Sequence, residues 1–115
     1  MNKLWLVLTV VMFYSGIALA HPPTAIQVKA IDATQIEVTV LHGTNNPEAH
    51  YIEEIVIYVN GIKMIAQNFK AQQGNTLQKA VYNLPELIKN PKAVIKVYAD
   101  CSKGGDKTKE FILGK

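Results

Sequence analysis

The clearest alternation of apolar and polar residues runs from Gln35 to Leu41, where Ile36, Val38 and Val40 face one way and Glu37 and Thr39 the other. A period of two with β-branched residues predicts a half-buried strand. Ala25–Ala30 alternates more weakly and reads as an edge strand. Tyr51–Val59 is too consistently β-branched for a helix and predicts another strand. Asn60-Gly61 is the strongest hairpin signal in the chain, with Ile62–Phe69 as the return strand. Leu77–Leu84, Ala93–Ala99 and Thr108–Leu113 complete the set. Gly43–Ala49, containing Asn45-Asn46-Pro47, and Ala71–Asn75 are predicted loops. Pro85–Lys92, lying between Leu84 and Ala93, has room for one helical turn.

Seven short strands joined by turns predict an all-β, seven-stranded immunoglobulin-like β-sandwich. In that topology the first strand pairs antiparallel with the second. The second hands over to the third across the sandwich, and the sixth runs antiparallel to the third. His21 precedes the first strand, His42 ends the second, His50 begins the third and Cys101 ends the sixth. All four then fall at one pole.

The apolar stretch at the start changes the domain picture. Lys3 is followed by the almost wholly apolar Leu4–Ile17 and then by Ala18-Leu19-Ala20. This is the pattern of a secretory signal peptide over residues 1–20, cleaved after Ala20. A run of about 17 apolar residues is at the short limit for a membrane span, and the small-residue ending favours cleavage. Residues 21–115 are then one domain in the periplasm or outside the cell, with no membrane association after cleavage.

That domain keeps eleven lysines, no arginine and nine acids. The lysines are interleaved with acids, which describes a solvated surface and argues against nucleic-acid binding. Cys101 is the single cysteine and cannot form an internal bridge. A cysteine alone in an oxidising compartment is free, joined to another chain or held by a metal, unless it is simply a small buried hydrophobe. Its surroundings, Ala-Asp-Cys-Ser-Lys-Gly-Gly-Asp, are those of a strand end entering a loop.

One histidine at a strand end is usually an ordinary polar residue. Here, however, every histidine and cysteine of residues 21–115 maps to the same end of the predicted fold. His21, His42, His50 and Cys101 are therefore the candidate metal ligands. Three imidazoles and a thiolate suit iron(II), zinc or copper. Hydrolytic chemistry has little support: Glu53 and Glu54 are adjacent on a strand and point to opposite faces, and Ser102 lies in no nucleophile elbow.

His21-Pro22-Pro23 before an aliphatic strand, His42, His50-Tyr51-Ile52-Glu53 before a second strand, and Cys101 near the end resemble the iron-binding domain of desulfoferrodoxin and superoxide reductase. The resemblance covers nearly all of residues 21–115. It implies an immunoglobulin-like sandwich with a mononuclear, non-haem iron bound by equatorial histidines and an axial cysteine thiolate. On this likeness His21, His42 and His50 match the first three histidine ligands and Cys101 the thiolate. It also implies superoxide as substrate and an electron-donor protein as partner. Three positions depart from the family pattern. Gly104 stands where a fourth histidine is usual, the loop between His42 and His50 is longer, and Ala20 replaces a lysine before the first histidine.

Two other readings stay open. Cleavage after Ala20 would give His21 a free α-amine beside its imidazole, a chelating pair like the histidine brace of exported copper proteins. The chain would then be a copper-binding or copper-carrying module. Alternatively, the scaffold serves as a non-catalytic binding module.

Overall fold

A computed structural model describes residues 22–113. The predicted signal peptide and His21 lie outside the described residues. Among the described residues, no helix is long and apolar enough to cross a membrane.

Seven strands form: β1 (Ala25–Ala30), β2 (Gln35–Leu41), β3 (Ile52–Val59), β4 (Ile62–Asn68), β5 (Leu77–Asn83), β6 (Val94–Cys101) and β7 (Asp106–Ile112). One sheet has the order β1-β2-β5 and the other β4-β3-β6-β7. Every pairing is antiparallel. The chain is thus an all-β immunoglobulin-like sandwich, and the two pairings used to place the site, β1 with β2 and β3 with β6, are both present. A single helical turn, α1 (Glu86–Lys89), lies between Pro85 and Pro91, where the sequence allowed no more.

Alternation explains the core. Ile36, Val38 and Val40 of β2 are wholly buried, and Ile55 and Ile57 of β3 and Ile95 and Val97 of β6 meet them from the other sheet. The Asn60-Gly61 turn has φ of 50° and 83°, positive at both positions, and Val59 pairs directly with Ile62 across it. A two-residue turn of that type matches the twist of the strands it joins, so it holds β4 beside β3. β4 is an edge strand with mostly exposed residues.

Two features differ from the sequence expectation in ways that shape the pole. β6 runs two residues beyond Ala99, because Cys101 lies opposite Ile52 and its N–H donates to Gly105 O at 2.9 Å. In β3, Ile52 and Ile55 are both wholly buried although an odd number of positions apart. Ile52 faces Cys101 while Glu54 faces Asp100, so Glu53 is an extra residue, a β-bulge. The bulge resets the alternation and lets both isoleucines reach the core. It also separates the Glu53-Glu54 pair from a simple two-face arrangement.

Ile57→Ala is expected to lower unfolding free energy by about 2–5 kcal/mol, since it opens a cavity between the sheets. Ile62, 62% exposed on the edge strand, should change by less than about 0.5 kcal/mol as Ala. Urea denaturation of both variants checks the contrast, and equal losses would contradict this core.

Candidate metal centre

The site is built at the pole where β2 ends, β3 begins and β6 ends. His42 follows the last residue of β2, and its N–H donates to Thr76 O at 2.9 Å, extending the ladder beyond β5. The side chain is 1% exposed. His50 closes the intervening loop: the N–H groups of Ala49 and His50 both donate to Asn46 O, which curls the chain back toward β3. The loop's start is ordered by Thr44, whose Oγ1 accepts from Asn46 N at 3.1 Å.

Cys101 is the last inward-facing residue of β6. At 4% exposure it is as buried as a core residue, yet its sulfur has polar company. His50 Nε2 lies 3.0 Å from Sγ, and the Lys103 N–H donates to Sγ at 3.3 Å. Ser102 clamps the turn to the start of β3, its N–H donating to Tyr51 O and its Oγ accepting from Tyr51 N. The His42 and His50 rings meet edge-on, centroids 4.8 Å apart at 84°.

The ligand-capable atoms of His42, His50 and Cys101 all lie within 4.8 Å of one another. Two donors held at about 2.1 Å (imidazole) and 2.3 Å (thiolate) from one ion are roughly 3.1 Å apart at right angles and at most about 4.4 Å apart when opposite. The His50–Cys101 separation of 3.0 Å suits neighbouring ligands. Separations toward 4.8 Å exceed that range, so the side chains would turn inward to close on one ion. The donor chemistry and spacing therefore fit a transition metal.

Three of the four predicted ligands are brought together, and the fourth, His21, lies outside the described residues. What the structure does show is the path of the chain beside it. Thr24 N and Oγ1 both donate to Leu41 O, at 2.8 and 3.1 Å. Pro22 presses on the turn after Cys101: a Cβ on Gly105 would lie 2.9 Å from both Pro22 N and Pro22 Cβ. The segment preceding β1 is thus stitched to the same pole.

That turn is built on two glycines. Gly104 and Gly105 have φ of 105° and 97°, backbone that residues with a Cβ avoid. Gly104, the position where a fourth histidine is usual in the resembled family, is thus held in a conformation that disfavours histidine.

Gln72 is the residue sequence reasoning missed. It sits in the polar loop Ala71–Asn75 but is 6% exposed, and its Oε1 lies 2.7 Å from His42 Nδ1. No periodicity marks it. The only sequence signal was its place in a loop leading back to the histidine pole. Carboxylates take no part in the cluster. The nearest acid in sequence, Asp100, points to the opposite face of β6, where Tyr98 donates to its Oδ2 at 3.2 Å. Burial, then the Asp100 carboxylate, pushes the Tyr98 phenol up to about 12.

No family model and no curated protein matches the chain. Among solved structures it is similar to the superoxide reductase (neelaredoxin) from Ignicoccus hospitalis T24K, at 17% identity over 79% of this chain and 81% of that chain, with a TM-score of 0.45.

Gly105→Ala is expected to cost about 1–2 kcal/mol from the left-handed backbone alone, with a further loss from the Pro22 contact. Gly43→Ala, where an added Cβ meets nothing within 4 Å, is the control. Amide exchange at Thr24 should accelerate in Gly105→Ala and stay unchanged in Gly43→Ala; the same rate in both would show that Pro22 does not depend on this turn.

Proposed function

We propose that this chain is an exported mononuclear metal protein that holds non-haem iron through His42, His50 and Cys101, with His21 as a further ligand. On this reading it reduces superoxide by one electron, as the proteins its sequence resembles do. The observation that carries the metal reading is the clustering of three donor atoms within 4.8 Å from three separate parts of the chain. The superoxide reading is supported by the ligand pattern His21, His42, His50, Cys101 and by the thiolate in the donor set.

When bound, the ion supplies one-electron chemistry between iron(II) and iron(III), with an external electron-donor protein restoring the reduced form. The chain's own residues set the conditions for it. Cys101, buried against Ile52, keeps its sulfur out of bulk water, and the Lys103 N–H stabilises negative charge on it. His50 stands at the solvent side of the pair, beside an open cavity of about 230 Å³ lined by Gly43, Thr44, Asn45 and His50. A space that small admits a diatomic anion and its waters more readily than a drug-sized ligand. Each superoxide that gains an electron takes up two protons to leave as hydrogen peroxide, and this cavity is the route by which water can deliver them.

A copper-binding module is the second reading. It is favoured by the packing of Pro22 on Gly105, which ties the residue after His21 to the same pole. Under that reading the His21 α-amine and imidazole chelate copper with His42 and His50.

The deciding experiment uses residues 21–115 with an authentic His21 terminus, prepared without oxygen and loaded separately with iron(II) and copper(II). Oxidised iron protein is expected to show a visible thiolate-to-iron charge-transfer band that disappears in Cys101→Ser. His42→Ala and His50→Ala should lower iron affinity by more than the roughly 100-fold that losing an outer partner can cost. Lys103→Ala keeps the backbone N–H and should leave affinity unchanged. Absence of the band, with tight copper binding that needs the free His21 amine, would establish the copper reading instead. A folded protein that binds neither metal would be a binding module.

A further inference from the structure

Gln72 makes more contacts at the pole than its place in a loop suggests. Its backbone N–H donates to Pro47 O at 2.9 Å, which ties it to the loop between the two histidines. Its side-chain Nε2 donates to His42 O at 2.9 Å and to Gly74 O at 2.8 Å. Its Oε1 accepts from Ile52 N at 3.2 Å and lies 2.7 Å from His42 Nδ1.

These contacts fix the orientation of the carboxamide. Turning it over would set the oxygen against two carbonyl oxygens and the NH₂ group against the Ile52 N–H. Both exchanges replace attraction with repulsion in a buried setting, where an unmet polar group is costly. The atom facing His42 Nδ1 is therefore an oxygen, which can only accept. His42 Nδ1 must carry the proton and donate it, and in the neutral ring the lone pair is then on Nε2.

We infer that Gln72 is a positioning residue that holds His42 in the Nδ1–H tautomer and so presents Nε2 as its metal-binding nitrogen. This rests on the reading of His42 as a ligand. Neutral histidine side chains in water favour the opposite, Nε2–H tautomer, so the ring is held against its intrinsic preference. An outer partner that accepts the second ring N–H orients a ligating imidazole and makes it more basic. Here a neutral carboxamide does this, and the same oxygen also receives the first inward N–H of β3. The end of β2, the start of β3 and the ring orientation are thereby coupled through one atom.

The test compares wild type, Gln72→Leu and Gln72→Glu in the metal-free and zinc-loaded states. Two-bond ¹H–¹⁵N correlation spectra at a pH where the ring is neutral report which His42 nitrogen carries the proton. Zinc affinity is read by competition with a chelator. Wild type is expected to show a single Nδ1–H tautomer. Gln72→Leu should shift it toward Nε2–H and lower zinc affinity about 10–100-fold. Gln72→Glu keeps an acceptor for Nδ1–H and should retain the tautomer and, in the folded protein, an affinity near wild type, although its second oxygen faces the His42 and Gly74 carbonyls and lowers stability. A merely structural role would weaken both variants alike. If Gln72→Leu does not fold, the wild-type spectrum and Gln72→Glu still decide. A wild-type His42 protonated on Nε2, or an unchanged tautomer in folded Gln72→Leu, overturns the inference. A Gln72-dependent Nδ1–H tautomer in a protein that binds neither zinc nor iron sustains the lock while removing the metal function proposed above.

Discussion

The pole of this sandwich depends on a buried carboxamide whose hydrogen-bonding capacity is filled. Gln72 gives both amide hydrogens to backbone carbonyls and receives two donors on its oxygen. A half-satisfied polar group in that position would be worse than an apolar one. Filled, it fixes its own loop, the end of β2 and the start of β3 relative to one another without a disulfide. This is how a chain with one cysteine can hold two histidines and a thiol in register: a rigid sandwich below, and one saturated amide above it.

The strand ends supply the remaining precision. Cys101 is placed by alternation, as the inward residue after Ile95, Val97 and Ala99. His42 is placed by the length of β2. His50 needs more, since it follows a seven-residue loop and enters a strand whose first inward residue is out of phase with the rest. The bulge at Glu53 corrects the phase, so Ile52 can seal the core beneath Cys101. Bulges often lie next to functional sites because they re-aim a side chain at little cost to the sheet.

Much of this was legible in the sequence, because its causes are local and periodic. The alternation of Gln35–Leu41, the Asn60-Gly61 turn and the two prolines around Glu86 each act over a few residues, and each predicted its element. The convergence of His42, His50 and Cys101 followed from strand order alone. Gln72 was not legible, because a glutamine in a polar loop looks the same whether its amide is solvated or saturated. The Glu53 bulge was hidden for a related reason: a run of Ile, Val and Tyr suits a strand in either phase, and only the pairing with β6 decides. The conformations of Gly104 and Gly105 belong to a turn whose partner, Pro22, is far away in the chain.

The glycine turn also bears on which parts of the chain can reach the pole. At Gly104 the backbone is left-handed, and with Gly105 it lets the turn tighten so that Gly104 N donates back to Cys101 O and Pro22 packs against Gly105. A histidine at Gly104 would strain the turn. A side chain on Gly105, needed by no ligand, would push away the segment that leads to His21. The glycines of the turn and the docked N-terminal segment are therefore two aspects of one backbone choice. This backbone brings the N-terminal segment to the His42, His50, Cys101 pole and leaves the turn after the cysteine without a side chain at Gly104 and Gly105.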